Sequence, residues 1–171
     1  MTIQTMRPFK TMVLALVLAG TSAIGQLMPD DPNWRESPVP PPPGFDVNRL
    51  IRLESPKGST LTYGIDPATV TTTPEGVVRY VIVASSREGG QNVMYEGIRC
   101  SKAQYRVYAR YNAKNGWSPV SDGDWQPLYG SAASRHAVTL AEAGACKDRA
   151  VNRSASTIVR TLKGEQPAGF D

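Results

Sequence analysis

The sequence predicts an α+β fold: an antiparallel β-sheet of about four to six strands with one or two helices packed on one face. Three observations predict it. Val77–Ala84 (VVRYVIVA) is a near-continuous apolar run rich in β-branched residues, as in a central strand. Val93–Cys100 (VMYEGIRC) and Tyr105–Tyr111 (YRVYARY) follow as two strands joined by a short connection. Past Ser134 the apolar period turns helical, through Val138, Leu140, Ala141 and Ala145.

At the start of the chain, residues 1–25 read as a signal peptide. Arg7 and Lys10 give a basic beginning. Thr11–Ala19 (TMVLALVLA) is apolar but too short to span a bilayer, which takes about 20 residues. Ala23 and Gly25 are the small residues that direct cleavage before Gln26; an uncleaved anchor is the alternative. No cysteine follows the apolar run, so a lipid anchor is not expected.

Residues 26–44 carry Pro29, Pro32, Pro38 and the run Pro40–Pro43. Successive prolines lack amide donors and favour extended polyproline II, so the stretch is a spacer or brace. The spacing of Pro38 and Pro41 also fits a proline-rich ligand, a common and weak pattern. Trp34, Phe45, Leu50 and Ile51 are candidates to pin the segment to the single domain expected over residues 45–163.

Within that domain Leu61, Tyr63 and Ile65 alternate with polar residues or glycine, and Asp66-Pro67 makes a turn. Val70–Thr73 is a short β-branched stretch, and Pro74-Glu75-Gly76 turns the chain into the central strand. The loop SSREGGQN precedes the two later strands, and Asn112–Gly116 turns after them. Trp117–Tyr129 reads as a structured loop with one edge strand near Trp125–Tyr129. Ser134 is placed to cap a helix over Arg135–Ala145, with Gly144 weakening its end. Ile158, Val159 and Leu162 mark a second helix over Ser156–Leu162, and Gly164–Asp171 is a tail.

Composition bounds the function. The 171 residues are 40% hydrophobic and 20% charged, with mean hydropathy −0.31, which excludes a multispan membrane protein and an acidic disordered chain. No membrane span is expected once the leader is gone. The net charge of +4 falls to +2 without Arg7 and Lys10, too little to suggest nucleic-acid binding.

The two cysteines, Cys100 and Cys146, both follow the leader, and export favours their pairing over two reduced thiols. The bond would close a loop of roughly 46 residues, worth about 4 kcal/mol on the chain-entropy account. It would also tie the end of the first helix to the sheet.

A hairpin loop at Ser101–Gln104 would oppose Cys100 to Tyr105, Ile98 to Val107, Glu96 to Ala109 and Met94 to Tyr111. That face is apolar except for Glu96. Arg79, from the neighbouring strand, is the expected partner in a buried ion pair with Glu96. The opposite face carries Arg99, Arg106, Arg110, Tyr95 and Tyr108, residue types enriched in interfaces and ligand sites. It is either a binding surface, a solvated face, or a face covered by the N-terminal segment.

Recognisable chemistry is sparse. His136 is the only histidine and has no ligands at zinc spacing. With Arg135 it sits where a helix start would hold an anion, but a packing histidine is the commoner role. Asp122-Gly123-Asp124 lacks the further ligands of a calcium loop. Neither a nucleophile elbow nor a phosphate loop is present, and no metal or cofactor is expected.

Several segments together resemble the CNP-one-like (cryptic neisserial protein-like) family of exported proteobacterial proteins. They are residues 40–51 (PPPPGFDVNRLI), 61–70 (LTYGIDPATV), 76–84 (GVVRYVIVA), 94–111 with MYEGIRC and YRVYARY, 117–128 (WSPVSDGDWQPL) and 134–146 (SRHAVTLAEAGAC). The resemblance implies export and a single domain, and it carries over no catalytic residues. Some members look like lipoproteins, which this sequence does not match. The expectation is therefore a soluble periplasmic, non-enzymatic module that binds an envelope protein or polymer through the Arg/Tyr face. The alternative is an enzyme acting on cell-envelope material with Glu96, Arg79 and His136. A carrier of a small anion or saccharide would require a deep pocket instead of a flat face.

Overall fold

The computed structural model describes residues 31–121 and 123–165. The leader, its cleavage point at Gly25–Gln26, Asp122 and the tail beyond Glu165 lie outside the described residues. The described sheet and helices belong to the unit that begins at Trp34.

Eight strands build one sheet: β1 (Ile51–Leu53), β2 (Thr62–Ile65), β3 (Thr71–Thr72), β4 (Val77–Ser85), β5 (Gln91–Arg99), β6 (Gln104–Asn112), β7 (Gly116–Pro119) and β8 (Gln126–Pro127). Their order is β1-β2-β4-β5-β6-β7, with β3 also on β4 and β8 on β6, and these pairings are antiparallel. The α+β class is as expected, but the strands outnumber the expected four to six. The excess lies in pieces of two to four residues such as β1, β3 and β7, too short to print a period-two pattern.

β4 is apolar at consecutive positions because both of its faces are covered. Val78, Tyr80 and Ile82 pack toward the helices with Ile65, Ile98, Leu140 and Ile158. Val81 and Val83 pack on the other side with Val93, Tyr95, Tyr108 and Ala109, joined there by Phe45, Leu50, Tyr111 and Trp117.

The first helix, α1, is regular only over Arg135–Leu140 and widens through Ala141–Ala145, where Gly144 takes φ 141°. A β-carbon on Gly144 would stand 3.1 Å from the Thr161 β-carbon, so the glycine admits the close approach of the second helix. Cys146–Lys147 (β9) and Ala150–Val151 (β10) form a small ladder, and α2 spans Ala155–Leu162. The Ser154 hydroxyl accepts from the Thr157 amide and caps α2. The Cys100–Cys146 disulfide joins the β5–β6 turn to the chain leaving α1.

The hairpin register differs from the expected one. A tight turn at Cys100–Lys102, closed by left-handed Ala103, pairs Ile98 with Tyr105 and Glu96 with Val107. A bulge at Tyr95/Glu96 then leaves Tyr108 without a cross-strand partner, and the pairing resumes as Tyr95 with Ala109 and Met94 with Arg110. Tyr108 and Ala109 both turn to the Tyr95 side. Arg110 shifts to the side of Met94 and is exposed. One inserted residue thus removes Arg110 from the predicted Arg/Tyr face.

Candidate functional site

The face opposite the helices carries Tyr95, Arg99, Arg106 and Tyr108, and Arg79 joins them because it pairs with Gly97. The expected Arg79–Glu96 ion pair is therefore absent. Adjacent positions on neighbouring strands share a face, and Glu96 lies one residue away, on the other side.

The N-terminal segment covers this face. Trp34 donates from its indole to the Glu75 carbonyl (3.0 Å), packs edge-on against Trp125, and lies 3.5 Å beneath the Arg99 guanidinium. Glu36 accepts from Arg79 Nη2 (3.2 Å), Arg106 Nη1 (3.0 Å) and the Tyr108 hydroxyl (2.5 Å). The Ser37 amide and hydroxyl donate to the two oxygens of Glu75 (2.8 and 2.7 Å). Arg79 Nη2 reaches the Ser37 carbonyl at 2.8 Å. Tyr108 lies across Gly97, a position where any side chain would occupy the ring's space.

These contacts set the local electrostatics. Burial works against the charge on Arg79, but Tyr108 and Glu36 outweigh it and hold the guanidinium more firmly protonated. Burial, then the hydrogen bond and charge of Glu36, push the Tyr108 hydroxyl far above the usual phenol range. Burial pulls Arg99 down. Burial also pushes Glu75 up, yet the Ser37 hydrogen bonds outweigh it and leave this carboxyl below its usual value.

The strap is pinned again at its far end. Phe45 meets Tyr111 and Trp117 edge-on, with centroids 5.0 and 5.8 Å away. The Asp46 amide donates to Asp66, which Arg49 grips through two bonds of 2.6 and 2.8 Å. Between the two anchors the prolines bring no amides to bond the sheet. Val39 and Pro40–Pro42 stand over a cleft of about 410 Å³. Tyr95, Arg106, Tyr108, Ala109, Trp117, Pro119 and Val120 line its other sides.

Glu96 and His136 meet in the core on the other side of the sheet. Glu96 is fully buried, accepts from the Tyr80 hydroxyl (2.9 Å), and lies with both oxygens 3.0 Å from His136 Nε2. His136 stacks on Tyr63 and is itself buried. The trio Glu96, Arg79 and His136 is thus not assembled in one cleft. His136, on α1, and Glu96, on β5, are enclosed between helix and sheet, and Arg79 bonds the strap on the other side. Among the described residues no three acids, cysteines or histidines are grouped to hold a metal. Among them, too, no helix is long and apolar enough to cross a membrane.

Sequence reasoning names Trp34 and Phe45 as pins but misses Glu36 and Glu75. The signal is a charge imbalance. Arginines gathered on one sheet face call for carboxylates, and the proline-rich segment offers Glu36 beside Trp34.

The sequence model of the CNP1-like family matches residues 29–163, taking in the strap as well as the sheet and helices. No curated protein and no solved structure matches the chain.

Proposed function

We propose, from the premise that this chain belongs to the CNP1-like family, that it is an exported envelope protein that binds its ligand in the cleft beneath the strap. The single supporting observation is the way the Arg/Tyr face is covered. Trp34, Glu36 and Phe45 close it on both sides, and the 410 Å³ under Val39–Pro42 stays open. That volume is in the range of small-molecule sites, and aromatic walls on a rigid sheet suit binding. The broad interaction face expected from the sequence thereby narrows to a pocket roofed by polyproline.

Phenyl-naphthylamine, an uncharged aromatic dye that brightens in apolar sites, tests the reading. Saturable binding at one site per chain is expected. Val120→Trp, which fills the cleft from its wall, is expected to abolish it with the fold intact by circular dichroism. Binding indifferent to that substitution would overturn the cleft as the site. Export has its own test: the protein should leave cells on osmotic shock with Gln26 at its N-terminus, and retention in the cytoplasm would refute it.

A further inference from the structure

We infer that the ligand is a small amphipathic anion, a compact apolar body carrying one acid group that sits against Arg106. The inference rests on the reading of the cleft as the binding site and adds the chemistry of what enters it.

Among the described residues that line the cleft, Arg106 alone is charged; the rest are proline, valine, alanine, tyrosine and tryptophan. An apolar chamber with one cation suits a ligand built the same way with opposite sign. A saccharide would bring many hydroxyls to walls that offer few partners, and prolines add no amide donors.

The state of Arg106 supports the assignment. Its Nη1 donates to Glu36, while its Nε, like those of Arg79 and Arg99, is buried with no hydrogen-bond partner. Its side chain is 32% exposed, against 5% for Arg79, so of the two guanidiniums on Glu36 it is the one open to an incoming group. Charge points the same way. Among the described residues under the strap, Arg79 meets the carboxylates of Glu36 and Glu75, Arg106 meets Glu36, and Arg99 stacks on Trp34. Glu36 is thus shared between two guanidiniums, and the more exposed of them, Arg106, is the one an added anion would meet.

The walls define the body. Tyr95, Tyr108 and Trp117 give flat aromatic surface, and Pro40–Pro42 form a further wall. A volume of about 410 Å³ fits a bicyclic or short aliphatic body.

The test compares two dyes of one shape, anilinonaphthalene sulfonate and its uncharged analogue phenyl-naphthylamine, on the full mature protein. The sulfonate is expected to bind at least about tenfold more tightly, since charge-assisted bonds to a guanidinium are the strong ones. Arg106→Met is expected to erase that preference, bringing the ratio of the two dyes' affinities within about twofold of one. Equal affinities in the wild type would overturn the anion while leaving the cleft as a site. A preference that survives Arg106→Met would overturn Arg106 as its seat. Failure of both dyes to saturate would remove the cleft reading together with this one. If Arg106→Met does not fold, the wild-type comparison decides alone, because equal affinities refute the inference without any variant.

Discussion

Tyr108 lies flat across Gly97, its ring carbons 2.9 Å from where a β-carbon on that glycine would stand. The glycine lets a bulged residue on β6 fold over β5 and deliver its hydroxyl to Glu36. Gly97→Ala should therefore force the ring aside and cost about 1–3 kcal/mol, as overpacking does. Urea denaturation reads the loss. In a Tyr108→Ala background the same substitution should cost far less, and an equal loss in both backgrounds would show that the ring contact is not the cause.

Glu36 is the acid through which the strap meets Arg79, Arg106 and Tyr108 together. Its side chain is 10% exposed and that of Arg79 is 5%, so this pair is not a surface one. Glu36→Gln keeps the shape and removes the charge, leaving two guanidiniums short of a counter-ion. The expected cost is about 3 kcal/mol, the size seen when one partner of a buried pair is removed. Hydrogen exchange should quicken in residues 34–39 ahead of the central strands. A loss below about 0.5 kcal/mol would place the contact with ordinary surface pairs.

Much of the fold is legible in the sequence because long elements carry long patterns. β4 announces itself by its unbroken apolar run, and Cys100–Cys146 by an even cysteine count in a chain that reads as exported. The site is less legible, and the reason is one residue. An alternating pattern implies constant pairing parity along β5 and β6, whereas the bulge at Tyr95/Glu96 reverses it. Arg110 leaves the face as a result. Arg79 falls on the other side from the one expected because the register of an all-apolar strand is weakly specified. The role of Glu36 is invisible for another reason. Proline-rich segments have no period, so nothing local says which side chain faces the sheet.

Asp66 should make part of the protein's stability sensitive to acid. It is fully buried and accepts from Arg49 and from the amides of Asp46 and Ala68. Burial raises its pKa, but the Arg49 and backbone hydrogen bonds lower it by more, and the net shift is down from 3.8. A lowered folded pKa contributes stability that is full above the unfolded value and is lost as pH falls through the folded one. Asp66→Asn should thus cost most near neutrality, and its gap from wild type should shrink at pH values below 3.8. Denaturant midpoints from neutral pH into that range check this, and a gap independent of pH would contradict it.

The His136–Glu96 pair should act with the opposite sign. Burial pulls the imidazole pKa down, yet the charge and hydrogen bond of Glu96 push it up by more, so the net shift is upward from 6.5. Arg110 opposes this weakly from the same side of the sheet, and Tyr63 and Tyr105 enclose the ring. A raised folded pKa gives stability that is full below the unfolded value and is lost as pH rises through the folded one. His136→Gln should therefore cost about 3 kcal/mol in mild acid, where it removes the cation facing a buried carboxylate. Above the folded pKa only a neutral hydrogen bond remains to lose, and the cost should fall to about 1 kcal/mol. Tyr80, which also donates to Glu96, holds the carboxylate in place in both ranges, so Tyr80→Phe should lower stability at every pH without removing the slope. A His136→Gln cost that stays flat or grows as the solution turns alkaline would mean that the histidine carries no charge in the folded protein.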